Sequence, residues 1–321
     1  MKKFLLIAIA VVSAAYAGLY FYTQPMLRAS GSDAVAKLPR GDANRGKRLA
    51  TIVGCRSCHG PDLGGKRFIA EDYVFRLVAP DLTRARERYD DAAFVRLFRT
   101  GAKVGGNLAL GMPTQMQQRM TDAEVADIIA FVRSVPTSAA PVQESTRLYP
   151  LARIGLVMGK YHPHDGDPAE SEQVLLDRQE RNRGRHLAQI ACAECHGGEF
   201  EGNSGMGAPA LAIAKGYSRN QFTRLLHTGT TLAGTESKTG LMTEMARERF
   251  TAMTDAETRD LHGFLTGATA SRQPSPPSIV RKMNVEIGSA DEMMTPEELE
   301  TWKRNNAESM KALEHVPELK H

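Results

Sequence analysis

Cys55-Arg56-Ser57-Cys58-His59-Gly60 and Cys192-Ala193-Glu194-Cys195-His196-Gly197 hold all four cysteines of this 321-residue chain. Each string sets two thiols and an imidazole along one turn of backbone. An even cysteine count in an exported chain ordinarily invites a disulfide reading. The histidine that follows each pair argues for a different chemistry.

Working outward from the two strings, the surrounding sequence repeats. Asn44-Arg45-Gly46-Lys47-Arg48-Leu49-Ala50 matches Asn182-Arg183-Gly184-Arg185-His186-Leu187-Ala188, just ahead of each cysteine pair. Beyond the pairs, Ala79-Pro80-Asp81-Leu82 matches Ala208-Pro209-Ala210-Leu211. Phe94 to Gly101 then matches Phe222 to Gly229, and Met-Thr-Asp-Ala-Glu closes both copies at Met120 and Met253. Two copies of this size each suffice for a core of their own, so the chain reads as a duplicated domain and not a solenoid. A lone Cys-x-x-Cys-His is open to a redox dithiol, half of a zinc site or haem attachment. Two in equivalent repeat positions, with no cysteine left over, point to two covalently bound haem c groups. In each, two thiols form thioethers and the imidazole ligates the iron. A thioredoxin-like site would also want a parallel sheet, for which no pattern is present.

Each copy is predicted to be helical. Asp42 caps a helix toward Gly54, and Asp90 or Asp91 starts one carrying Phe94, Leu97 and Phe98. Thr121 with Glu124, and Thr254 with Glu257, have the capping-box spacing. The loops between are rich in Gly and Pro, without the alternation a sheet needs. The expected class is therefore all-α: two tandem domains over residues 42–135 and 181–267, behind an N-terminal signal or anchor at 1–24. A proline-bearing connector covers 136–180, and a charged tail with a short helix from Thr295 to Lys311 occupies 268–321.

These residues resemble the class I c-type cytochromes, specifically diheme cytochromes related to the cytochrome subunits of periplasmic dehydrogenases. The resemblance covers both copies and leaves the anchor, connector and tail unmatched. It implies that a proline carbonyl accepts from each proximal imidazole, which makes Pro80 and Pro209 the partners of His59 and His196. It also implies that a later methionine supplies the second axial ligand. Met112, Met116 and Met120 are candidates in the first copy; Met112 sits in Gly111-Met112-Pro113, nine residues before Thr121, as in the family's Met-Pro loop. Met120 reads as core. In the second copy the same spacing selects Met245, whereas the string Gly240 to Arg247 resembles a family variant with its ligand at the Met242 position, which makes Met242 the expected ligand. Methionine ligation leaves no open iron position and favours electron transfer over catalysis.

Lys2 and Lys3 followed by an apolar run from Phe4 to Tyr22 give the layout of a signal peptide or an uncleaved anchor. The lysines inside and the bulk outside place the chain on the periplasmic side of the inner membrane. A net charge of +4 is too weak to argue for nucleic acid. Aromatic content of 6% suits a core filled partly by a cofactor. The expected partners are redox proteins: a dehydrogenase, an oxidase or a quinol-oxidising complex. The rival class is a diheme peroxidase or thiosulfate-oxidising enzyme, which needs one exchangeable haem site. Among the remaining residues, His162 to Asp167 resembles a small metal site in solvated sequence. His186 is expected to be exposed, His227 polar or propionate-facing, His262 on the surface or partly packed, and Arg84, Arg86 and Arg88 to form a solvated basic run.

Overall fold

The computed structural model describes residues 2–29, 38–161, 163 and 171–267. The His162–Asp167 cluster, apart from Pro163, and the charged tail lie outside the described residues. Helix α1 (Lys2–Thr23) has 22 residues, all but its last turn exposed, and is long and apolar enough to cross a membrane. At about 1.5 Å per residue it matches a hydrocarbon core of roughly 30 Å.

In the first repeat, α2 (Ala43–Ile52) is capped by Asp42, whose carboxylate accepts from the amides of Asn44 and Arg45 at 2.9 Å each. The attachment turn α3 (Cys55–His59) follows, then α4 (Leu82–Ala85), α5 (Asp91–Thr100), α6 (Thr114–Gln117) and α7 (Asp122–Ser134). Asp90 is the cap of α5, accepting from Ala93 at 2.7 Å. The Thr121–Glu124 capping box forms at the head of α7 as the sequence predicts. Helix α2 lies against α7, held by Arg45 and Asp127 at 2.8 Å. At the crossing, a Cβ on Gly46 would overlap the Asp127 carbonyl, so the repeated Asn-Arg-Gly is a contact requirement between first and last helices.

One departure from the sequence expectation is a small antiparallel sheet in the order β1 (Lys66–Glu71), β2 (Phe75–Ala79), β3 (Arg147–Leu148). Strand β1 is almost wholly exposed, so no buried-face alternation marks it, and a register irregularity between Arg67 and Ile69 breaks its period. The third strand arrives from the proline-bearing stretch. That stretch runs back over the first repeat, with Ser138 donating to Asp62 at 2.6 Å and Val142 to the Gly64 carbonyl at 2.8 Å. It continues into α8 (Pro150–Val157), whose Arg153 donates to the Thr23 hydroxyl of α1 at 2.7 Å and lies over the Tyr20 ring at 4.3 Å.

The second repeat follows α9 (Glu172–Arg178) and contains α10 (Arg183–Ala191), the attachment turn α11 (Ala193–His196), α12 (Arg219–Thr228), α13 (Leu241–Glu248) and α14 (Asp255–Thr266). Gly184 meets the Asp260 carbonyl of α14 as Gly46 meets Asp127, and the Thr254–Glu257 capping box is present. The two cores exchange a residue. Ile190 of α10 is packed in the cluster of Phe94, Phe98, Ile128 and Ile129, and Ile52 of α2 in the cluster of Phe222, Leu226 and Leu261. The repeats are thus joined through their first helices, with both attachment turns at the seam.

Candidate functional site

Just past the end of α2, Gly54, with a left-handed backbone (φ 82°), turns the chain into Cys55–His59, and Gly60 (φ 81°) turns it out again. The His59 ring Nδ1 lies 2.8 Å from the Pro80 carbonyl. A carbonyl only accepts, so Nδ1 carries the proton and Nε2 keeps its lone pair. His196 repeats the arrangement, with Nδ1 2.7 Å from the Pro209 carbonyl. Burial holds both imidazoles below the ordinary histidine pKa, against the raising effect of the proline carbonyls, so they are neutral at pH 7, the form that ligates a metal. Burial also pushes the Cys55 and Cys192 thiols up to about 12. Thiols so buried are poor sources of the thiolate used by zinc sites and redox dithiols. Among the described residues no group of three or more His, Cys, Asp or Glu side chains is arranged to hold a metal.

Beside the first attachment turn lies a cavity of about 440 Å³. Its walls include Cys55, Cys58, His59, Pro80, Phe98 and Met112. Gln117 also lines it, and the Gln117 side-chain oxygen is buried without a hydrogen-bond partner. An apolar chamber with two thiols and an imidazole on one wall, a methionine among its lining and an unanswered polar atom fits a porphyrin.

The three methionines of the first repeat part company. Met112 is half-buried and lines the cavity. Met116 is buried elsewhere, its Sδ accepting from the Glu194 amide of the second repeat at 3.3 Å. Met120 is fully buried in the first core, as expected. In the second repeat Met242 and Met245 both lie on α13, half-buried against one apolar cluster.

One other residue departs from its sequence reading. His186 is buried, contrary to the expectation of exposure, with Nε2 2.9 Å from the Glu124 carboxylate of the other repeat. It stands at the repeat position of Arg48, and the neighbouring repeat covers it through Glu124. The basic run lies at the surface as expected, with Arg84 and Arg88 exposed; Arg84 pairs with Asp81 at 2.6 Å, and the half-buried Arg86 donates to the Val132, Arg133 and Val135 carbonyls, answering the end of α7. His262 is partly packed, in line with its sequence reading, with Nε2 2.8 Å from the Tyr217 carbonyl. The His227 Nε2 is buried without a partner. Sequence reasoning missed Gln117, Glu194 and Arg249 as wall residues of the first cavity. For Arg249 a signal existed: it precedes Met253 by the same interval that Met116 precedes Met120, so a cation replaces an apolar residue.

Two segments of the chain, residues 43–136 and 182–269, match the cytochrome c family model, together more than half its length. The chain belongs to the cytochrome c family. This cytochrome is also 27% identical over 176 residues to the fructose dehydrogenase cytochrome subunit of Gluconobacter japonicus, covering 50% of this chain. The match spans 36% of that relative. Membership carries covalent haem c and electron transfer. Bound haem supplies the one-electron iron couple. The residues that would hold it are the two cysteine pairs with His59 and His196, whose rings the Pro80 and Pro209 carbonyls would keep oriented.

Proposed function

We propose that this cytochrome carries two haem c groups and passes single electrons between a dehydrogenase or quinol-oxidising complex and a terminal acceptor, from the periplasmic side of the inner membrane to which α1 anchors it. The observation that carries the reading is the repetition of one site: Cys55, Cys58 and His59 with Pro80, and Cys192, Cys195 and His196 with Pro209. His59 with Met112 and His196 with Met242 are the axial pairs. Met112 is supported over Met116 by its place in the cavity wall, and Met242 over Met245 by the local string alone. Two Met-ligated irons leave no open coordination position, which favours a carrier over an enzyme. Resemblance to a dehydrogenase cytochrome subunit supports a dehydrogenase as donor.

The test is an optical redox titration of the haem-loaded protein, alone and as Met112→Ala, Met242→Ala and Met245→Ala. Two low-spin haems, with Met112→Ala and Met242→Ala each removing one methionine–iron band and lowering one potential, support the assignment. A high-spin haem that binds peroxide or carbon monoxide in the unaltered protein overturns the carrier reading.

A further inference from the structure

The seam between the two repeats holds a charge pair, a buried arginine on a half-buried glutamate, that the ligand assignment does not use. Arg249, at the end of α13, is 7% exposed at its side chain and donates from Nη1 to the Glu194 carboxylate at 2.7 Å. Its Nε donates to the Ser57 hydroxyl at 3.3 Å. Ser57 and Glu194 occupy the same position in the two Cys-x-x-Cys-His turns, immediately before the second cysteine. One guanidinium therefore ties one attachment turn to the other. The fit is tight on the first side, because a Cβ on Gly54 would collide with the Arg249 guanidinium. Gly54 is also the residue by which Ile52-Val53-Gly54-Cys55 exceeds Ile190-Ala191-Cys192, so the extra glycine makes room for the arginine.

Both charged side chains come from the second repeat, yet both line the cavity of the first. A fixed charge beside a haem acts on the difference between its ferric and ferrous forms, which differ by one unit. A cation disfavours the more positive ferric form and raises the potential, an anion lowers it, and a buried wall screens either poorly. The pair is nearly neutral as a whole, so removing one member exposes the other.

We propose that Arg249 is a positioning residue that clamps the two haem-attachment turns together and, with Glu194, forms a charge pair contributed by the second domain that sets the reduction potential of the first haem. This inference rests on the diheme reading above. It extends that reading from what each domain does alone to what one lends the other.

The experiment is a redox titration of full-length, haem-loaded protein as Arg249→Gln, Glu194→Gln and the double variant, with iron content measured on each. Arg249→Gln leaves the anion unpaired and lowers the potential of one haem; Glu194→Gln leaves the cation unpaired and raises that of the same haem. Each shift is expected to be about tenfold in the ferric-to-ferrous ratio at fixed potential, or ~59 mV for one electron. The double variant returns near the starting value, and Arg249→Lys keeps most of it. Arg249→Gln leaves a half-buried carboxylate without its partner and is the variant most prone to misfold, so the double variant and Arg249→Lys are the safeguards. A loosened seam without electrostatic control would move both single variants the same way, and that result, or no shift in any variant, overturns the proposal. Iron content separates the two failures: two irons per chain with unmoved potentials sink the charge pair alone, and fewer than two in the unaltered protein sinks the diheme reading first.

Discussion

The two domains share a scaffold down to their glycine crossings and capping boxes, and differ at the positions through which they touch. The contacts are reciprocal. Arg48 of the first domain pairs with Glu257 at 2.6 Å, and the matching His186 of the second meets the matching Glu124 at 2.9 Å. Met116 approaches Glu194, and its counterpart Arg249 approaches Ser57, the counterpart of Glu194. Such an exchange is the isologous contact of a twofold dimer, here within one chain. A duplicated sequence is free to diverge at such a seam because each contact is made twice by separately encoded residues. The backbone arrangement stays paired while the chemistry becomes one-sided: a permanent cation stands opposite an imidazole, and a salt bridge opposite a methionine.

The equivalence of the attachment turns is most sharply tested by removing them one at a time. Cys58→Ala or His59→Ala is expected to halve the iron-to-protein ratio, and Cys195→Ala or His196→Ala to do the same, each leaving one c-type haem by spectrum. If either domain's variants remove both haems, the sites are not independent.

Axial ligation comes next in size. Met112→Ala is expected to abolish a methionine–iron band and lower one potential by a tenfold or greater change in the redox ratio, whereas Met116→Ala, whose sulfur faces the seam, leaves the band in place. Loss of the band in Met116→Ala would reverse the assignment made from the cavity wall.

The glycine crossings should respond alike. Ala favours a helix interior over Gly by about 1 kcal/mol, but a methyl on Gly46 or Gly184 overlaps a carbonyl of the facing helix. Forced overpacking costs roughly 1–3 kcal/mol, so both Gly46→Ala and Gly184→Ala are expected to lower Tm in calorimetry. An unchanged Tm for one of them would mark its crossing as looser than its twin.

The smallest effect lies in the acid limb of stability. Glu124 and Glu257 are both held below the ordinary carboxylate pKa: burial opposes the shift, and it is outweighed by the bond from His186 to Glu124 and from Arg48 to Glu257, with the capping amides assisting. A carboxyl with a depressed folded pKa contributes stability that is fully present above its unfolded value, about 4.3, and is lost as pH falls through the folded value. Urea midpoints between pH 6 and pH 3 should therefore fall less steeply in Glu124→Gln and Glu257→Gln than in the unaltered protein. Parallel acid limbs would show that these carboxyls titrate alike in the folded and unfolded chains.

Much of this was legible in sequence because it is local or repeated. Asp42, Thr121 and Thr254 cap helices through bonds spanning two or three residues, so spacing alone identifies them. Pro80 and Pro209 were reached through the family resemblance, and both carbonyls stand beside the expected imidazoles. The exposed strand β1 left no periodic trace, and β3, which pairs with β2, comes from a stretch just over seventy residues further along the chain.

By itself the sequence determined the cysteine–histidine turns, the duplication and the helix starts, because each depends on neighbours along the chain or on a pattern present twice. Only the tertiary structure decided that Met112 and not Met116 lines the first cavity, that His186 is buried, and that Arg249 bridges the two turns. Those outcomes turn on which helix faces lie at the seam between the two repeats. No spacing within either repeat encodes that choice, because the partners lie from about 60 to nearly 200 residues apart and meet only once both domains have formed and packed.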